Sequence, residues 1–335
     1  MKTTIRILLV APLICALPVT SSAQQKLAQS GFQFLSVVSD ARAAALGQAT
    51  TSLRLGSSSL FFNPAGMADM ESFVDVSGST NKWIADITHT TLSGAISPAS
   101  GNYGVFGFTV QYVNYGDFYG TVVNTASPQG YDDTGIFRLY ALAVGFGYAK
   151  RLTEQFSIGG QVKYVHQDLG TSVIPVVSGT DTSSQNTSNK LSPLAFDFGT
   201  QFKTGIKSLV FGMSVRNFSK EVKYAQEGTQ TPLAFTLGIS MNVMDLAGTL
   251  PFKQSLLISI DASHYLDHPE QVKLGLEYQI LDVLSLRGGY ASSTDETNGF
   301  SFGVGASKYG FTIDYAYTPY GIFNNVQRLT ARFAM

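Results

Sequence analysis

Charge is scarce in this sequence. Asp, Glu, Lys and Arg make up 13% of the 335 residues, against about a quarter in an ordinary soluble domain. A soluble protein covers its surface with charge, so this chain has little to spread over a water-facing exterior. The 22 basic and 23 acidic residues leave a net charge of −1. With no basic excess and no basic stripe, nucleic acid is excluded as a partner. Long apolar runs are also missing. Beyond the N-terminus no stretch reaches the ~18 residues of a helical membrane span. Any membrane insertion must therefore use a closed barrel, the other structure that satisfies every backbone hydrogen bond in lipid.

Cysteine is missing from all but the first residues. Cys15 is the only one, and it lies in a leader-like stretch. Lys2 and Arg6 form a positive start, Ile7 to Val19 an apolar run, and Ser21-Ser22-Ala23 a small-x-small cleavage site. The apolar run is too short to anchor in ~30 Å of hydrocarbon. Ile14 before Cys15 argues against a lipoprotein signal. Residues 1–23 are thus expected to be a signal peptide, with the mature chain starting at Gln24. Losing Lys2 and Arg6 takes the net charge from −1 to −3. Disulfides, thiolate metal sites and cysteine nucleophiles are then all excluded from the mature protein.

What is present is alternation. Leu233, Phe235, Leu237, Ile239, Met241 and Val243 interleave with Ala234, Thr236, Gly238, Ser240 and Asn242. Similar interleaving runs over Val272–Ile280 and Leu194–Lys203. Period two is the strand period, and a tilted strand of about ten residues crosses a bilayer. About fourteen segments of this kind are expected, near 72–80, 86–97, 103–115, 136–150, 155–168, 192–204, 208–218, 232–243, 254–265, 271–281, 283–292, 299–307, 310–317 and 326–335. Short connections (such as 151–154 and 308–310) alternate with longer ones near 116–135, 169–191 and 219–231, the pattern of periplasmic turns and outer loops. The connection 244–253 is longer than its class predicts.

A large soluble β-sandwich or propeller would alternate as well, but its polar face should be rich in Lys and Glu. Here the polar face is Gly, Ser, Thr, Asn and Gln with sparse charges of both signs: Lys163, Asp197, Lys203, Arg216, Asp261, Lys273, Glu277, Arg287, Asp314, Arg328 and Arg332. Such a face suits a wet or salt-bridged lumen. Tyr and Phe crowd the strand ends, where aromatic girdles sit. The fold expected is all-β: a transmembrane antiparallel β-barrel of about 14 strands over residues 72–335, in the outer membrane and in contact with its lipid.

Residues 24–71 do not alternate. Asp40 to Gly47 reads as a short capped helix ending in Gly. In Leu60–Ala68, Asn63 before Pro64 suits an N-cap with Pro at the first helical position. A stretch this apolar is expected to fill the barrel as a plug. The pair "ARAAALGQAT" (41–50) and "FFNPAGMA" (61–68) resembles the PorV/PorQ family of type IX secretion barrels. That family shares its fold with the FadL fatty-acid transporters. The likeness extends into "YVNYGDF" (112–118) and "FGYAKRLTEQFSIGGQVKYV" (146–165). It implies a FadL-like barrel whose plug motif is Arg42, Gly47, Asn63, Pro64, Ala65 and Gly66. It also implies binding and shuttling of secreted cargo proteins, with other type IX secretion components as partners. The outer loops near 116–135, 169–191 and 219–231 would be the contact surface.

No enzyme constellation stands out. HExxH, GxSxG and Walker-type loops are absent, and no cofactor or metal is expected. His264 and His268 flank Asp267 at a loop edge, where solvated polar residues are ordinary. The alternatives to a secretion accessory are a FadL-type transporter of a hydrophobic small molecule, favoured by the apolar Leu60-Phe61-Phe62, and an open porin. Against the porin, a plug would obstruct the pore and porins commonly have sixteen or eighteen strands.

Overall fold

A computed structural model describes residues 30–178, 181–223, 228–246, 253–292, 299–321, 323 and 325–335. The expected signal peptide lies outside the described residues, as does most of 244–253. Fourteen strands close into one antiparallel ring. They are β1 (Val74–Lys82), β2 (Thr88–Ile96), β3 (Val105–Val123), β4 (Tyr131–Arg151), β5 (Phe156–Ser178), β6 (Leu194–Lys203) and β7 (Val210–Ser219), then β8 (Ala234–Asn242), β9 (Gln254–Tyr265), β10 (Gln271–Ile280), β11 (Leu284–Ala291), β12 (Phe300–Lys308), β13 (Phe311–Thr318) and β14 (Val326–Ala334). Each pairs with its neighbours in sequence, and β1 closes on β14 from Asp75↔Ala334 to Lys82↔Gln327.

Register follows the alternation. On β10, Val272, Leu274 and Leu276 are 49%, 43% and 46% exposed, while Lys273 and Glu277 on the opposite face are 3% and 5% exposed. Strand after strand repeats this inversion of the soluble pattern, so the outer face is a continuous apolar belt. Water does not tolerate a patch of that extent; hydrocarbon does. Short turns gather at the end where Met335 lies, which is therefore the periplasmic end, and long hairpins rise from the other.

Two of the expected outer loops are largely strand. β3 and β4 continue beyond the barrel rim as a paired hairpin, bulged between Asn114 and Asp117 and again between Gly120 and Thr121. A further strand, Asp181–Leu191, pairs with the upper part of β5; Ser192 and Pro193 separate it from β6. The segment 219–231 carries a two-residue pair, Val222–Lys223 with Gly228–Thr229. The sequence hides the first extension for a physical reason. Tyr131 to Arg138 are exposed on both faces, so no buried side imposes an apolar period.

The lumen is filled by the chain preceding β1. Ser30 bridges Gln230 at the outer mouth. The chain then descends through a 3₁₀ turn at Gln33–Ser36, the helix α1 (Ala41–Ala45), and 3₁₀ turns at Gly56–Phe61 and Pro64–Met67. The hydrophobic core therefore sits inside the barrel. Phe32, Phe34 and Leu35 pack on Val113, Ala141, Val165 and Ala195 of the wall. Leu46, Leu53, Leu55 and Phe62 surround α1 together with Ala316, and Leu60 and Met67 meet Ala95, Val105 and Ala149. Each large side chain buried in this way contributes roughly 1.5–3 kcal/mol. The gaps left deep in the lumen measure about 30 and 10 Å³, room for little more than a single water.

Candidate functional site

α1 is short, and its ends are made locally. Asp40 caps it by accepting the Ala43 N–H at 2.9 Å. At the other end Gln48 N–H donates to the Ala43 carbonyl and Gly47 N–H to that of Ala44, a Schellman closure that places Gly47 at φ +60°. A Cβ on Gly47 would lie 2.6 Å from the Tyr290 nitrogen, and one on Gly289 would lie 2.0 Å from the Gly47 nitrogen. Helix end and barrel wall thus touch backbone to backbone.

From α1 the Arg42 side chain reaches Glu277 on β10 with both edges of its fork, Nε to Oε2 at 2.8 Å and Nη2 to Oε1 at 2.7 Å. Glu277 also accepts from Arg287 of β11 at 2.5 Å, and Arg287 donates onward to Asp314 of β13 at 2.6 Å. Opposite charges alternate across three wall strands and end on the inner segment.

Asn63 does the equivalent work lower down. Its Oδ1 accepts the Ala65 N–H at 3.1 Å, while Nδ2 donates to the carbonyls of Thr51 at 2.7 Å and Thr200 at 3.0 Å. Pro64 occupies the first position of the following turn. Gly66 lies so close to the Leu53 carbonyl and Ser59 that a Cβ would meet both at 2.8 Å. The wall is hollowed to admit this turn: a Cβ on Gly159 would strike Pro64 and Ala65.

The remaining lumen charges are dispersed rather than gathered into one site. Lys163 pairs with Asp197 at 2.8 Å, and Lys203 with Asp69 at 2.5 Å near the periplasmic end. Asp261 accepts the backbone N–H groups of Thr50 and Thr51, each at 2.9 Å. Its ladder neighbour Lys273 donates to Tyr265 Oη at 2.7 Å and to Gln48. Arg216 donates to the Phe61 carbonyl at 2.7 Å. Most of these contacts therefore end on the inner segment. Among the described residues no group of His, Cys, Asp and Glu could hold a metal.

Sequence reasoning missed two anchors. Asp75, fully buried on β1, accepts from Ser57 N–H at 2.9 Å and from Arg332 Nε at 2.7 Å. Asp69 gathers Arg54 and Arg151 as well as Lys203. Asp75 carried a usable signal, since it shares the polar face of β1 with Ser77, Ser79 and Asn81. Asp69 lies outside any period and had none.

At the outer mouth, Asp267 in the β9–β10 loop accepts from Ser30, from Gln33 Nε2 at 2.5 Å and from His268 Nδ1 at 2.7 Å. Burial pushes its carboxyl upward, but these hydrogen bonds outweigh burial and hold it below the usual carboxylate range. Above the rim the β3–β4 hairpin displays Phe118 stacked on Phe137, centroids 5.8 Å apart, with Tyr119, Val123, Tyr131 and Ile136 exposed beside them.

A profile described as type IX secretion system membrane protein PorP/SprF matches residues 122–322, more than half of the chain. The chain belongs to the PorP/SprF family. That places this PorP/SprF protein in the outer membrane and within type IX secretion. The resemblance read from the sequence named PorV/PorQ; the match is to a related family of the same secretion system and does not confirm the PorV/PorQ assignment. No curated protein matches the sequence. Among solved structures, the barrel is similar to the toluene transporter TbuX of Ralstonia pickettii, at 13% identity, TM-score 0.58, and coverage of 88% of this chain and 98% of that one. It is similar to the toluene transporter TodX of Pseudomonas putida at 14%, 0.55, 92% and 98%, and to a FadL homologue of Pseudomonas aeruginosa at 12%, 0.50, 88% and 98%. At such identities the likeness shows a FadL-like fold and nothing more.

Proposed function

We propose that this PorP/SprF protein is a non-enzymatic accessory of type IX secretion that holds exported cargo at the outer face of the membrane. The observation that carries this reading is the contrast between a lumen packed by residues 30–73, with deep gaps of about 30 and 10 Å³, and a projecting hairpin with exposed aromatics. A filled barrel with an aromatic surface outside is suited to binding a protein rather than conducting a solute. In this reading residues 24–71 are a plug, and the hairpins at 105–151 and 156–191 contact the cargo. Passing cargo onward, as the PorV/PorQ likeness implies, is the finer part of the proposal.

Deleting the gene and fractionating the cells tests it. Cargo should accumulate in the periplasm or be shed from the surface, and full-length protein should restore display. Phe118→Ser with Tyr119→Ser should restore barrel level but not display. Normal cargo display in the deletion strain would end the proposal.

A second reading has one observation in its favour: solved structures with this fold include toluene transporters. Uptake of a hydrophobic small molecule would require the inner segment to move aside. Unimpaired growth of the deletion strain on aromatic hydrocarbons and fatty acids would dispose of it.

A further inference from the structure

A cavity of about 340 Å³ opens at the outer end of the lumen, between the inner segment and the ends of the strands. Val37, Val38 and Gln48 form one side of it, and Trp83, Thr318 and Arg328 the other. The volume lies within the range of small-molecule sites. It is distinct from the two deep gaps, which are about tenfold smaller or less.

Arg328 is the unusual member. It is 3% exposed. Its Nε donates to the Val38 carbonyl at 2.8 Å and its Nη1 to Thr318 Oγ1 at 2.9 Å. The lumen arginines Arg42, Arg287 and Arg332 each meet a carboxylate. Arg328 meets none among the described residues, and Nη2 has no acceptor there. Among the described residues Arg216 also lacks a carboxylate, but it borders only the two small gaps. A buried guanidinium without a counter-ion is costly. One beside a cavity large enough for a ligand gains its partner when the ligand arrives.

The surroundings narrow the ligand. The Trp83 ring lies 5.6 Å from Arg328 Cζ, and Tyr320 holds Trp83 edge-on at 4.9 Å. Among the described residues the rest of the lining is amide, hydroxyl, tyrosine and small apolar groups with no Asp or Glu; the one histidine there, His268, is already hydrogen-bonded to Asp267. A single positive charge calls for a single negative one, and the fork of Arg suits the planar carboxylate. We propose that this cavity binds an organic carboxylate, its charge on Arg328 and its apolar body against Trp83, Val37 and Val38. The carboxylate could belong to a free small molecule or to the C-terminus of a polypeptide. The site is independent of the cargo-binding reading and stands if that reading fails.

Trp83 is the only tryptophan in the chain, so its fluorescence reports the site directly. Purified full-length barrel in detergent is titrated with phenylacetate and, separately, with neutral phenylacetamide. The carboxylate should give a saturable change in emission, and the amide should bind at least about tenfold more weakly. Arg328→Gln should lose at least about tenfold in phenylacetate affinity. Ala291→Phe, which fills the cavity and keeps the arginine, should abolish the response; it also serves if Arg328→Gln fails to fold. Equal affinity for acid and amide, no saturable response to phenylacetate, or wild-type binding by either folded variant overturns the proposal. An acetylated hexapeptide and its C-terminal amide distinguish the source. Tighter binding of the free-acid peptide than of phenylacetate assigns the site to a chain terminus, and weaker binding assigns it to a small molecule.

Discussion

Arg287–Glu277 in the lumen and Arg138–Asp117 on the outer hairpin are ion pairs of nearly the same length, 2.5 and 2.7 Å. Their side chains are 4% and 7% exposed in the first pair and 77% and 48% in the second. That difference divides the molecule. Inside, charge is desolvated and most of it is matched, and Glu277, Asp261 and Asp75 tie the wall to the inner segment. Outside, charge is screened and holds little, which leaves the hairpin free to vary its surface. Apolar residues divide the opposite way: they pack with small wall residues inside the barrel, face lipid around it, and stand bare on the hairpin.

The largest expected effect comes from breaking a tie in the lumen. Glu277→Ala leaves Arg42 and Arg287 facing one another without their shared carboxylate. Removing one member of a buried ionic group costs about 3–5 kcal/mol. Thermal unfolding in detergent, followed by the gel shift between folded and unfolded barrel, should show a marked fall in midpoint. Proteolysis should open the chain near residues 40–68. An unchanged midpoint would mean that the lumen tolerates unpaired charge and that the division just drawn is false.

Asn63→Ala comes next. It removes three hydrogen bonds, leaving the Ala65 N–H without its acceptor and the Thr51 carbonyl with only the longer bond from Gln201, a loss of about 1–3 kcal/mol at most for a buried group left unpaired. The barrel itself should persist, since its ladder is untouched. The expected result is faster cleavage within 40–68 at an unchanged barrel gel shift. Equal cleavage rates would detach the Asn-Pro-Ala turn from holding the inner segment.

A smaller effect should appear at the mouth as pH falls. The folded carboxyl of Asp267 is held below its ordinary value of 3.8. Its contribution to stability is therefore present above pH 3.8 and lost as pH falls through that value towards the folded one. Amide exchange at Gly31, whose N–H donates to the Gln230 carbonyl, should speed up between pH 5 and 3 beyond the intrinsic change. Asp267→Asn should remove that excess. An excess that survives the substitution would assign the effect to another group.

How much of this was legible in the sequence follows from which residues have a buried face. The fourteen strands were, because lipid on one side and a packed lumen on the other force period two on residues such as Val272–Ile280. The two capped turns were legible too, since Asp40, Gly47, Asn63 and Pro64 act within a few residues of themselves. The partners of Arg42, Asp69 and Asp75 were not. They depend on which strand ends up opposite, information that closure of β1 on β14 supplies and no local pattern carries. The hairpin extension went unread for the opposite reason: Tyr131–Arg138 has no buried face, so nothing there constrains the order of side chains.

The smallest expected effect sharpens the comparison most. Arg138→Ala breaks an ion pair as short as those in the lumen, at the base of an exposed hairpin. Exposed pairs contribute little to stability, so the unfolding midpoint should stay within error of wild type, in 20 mM salt as in 500 mM. If cargo docks on this hairpin, the same substitution should still alter its capture by immobilised barrel, because a rim charge acts on the approach of a partner more than on the fold. A change in capture with no change in midpoint would show that the outer surface is built for encounter and the lumen for cohesion. A midpoint that falls as far as for Glu277→Ala would erase that distinction and make the hairpin part of the load-carrying structure.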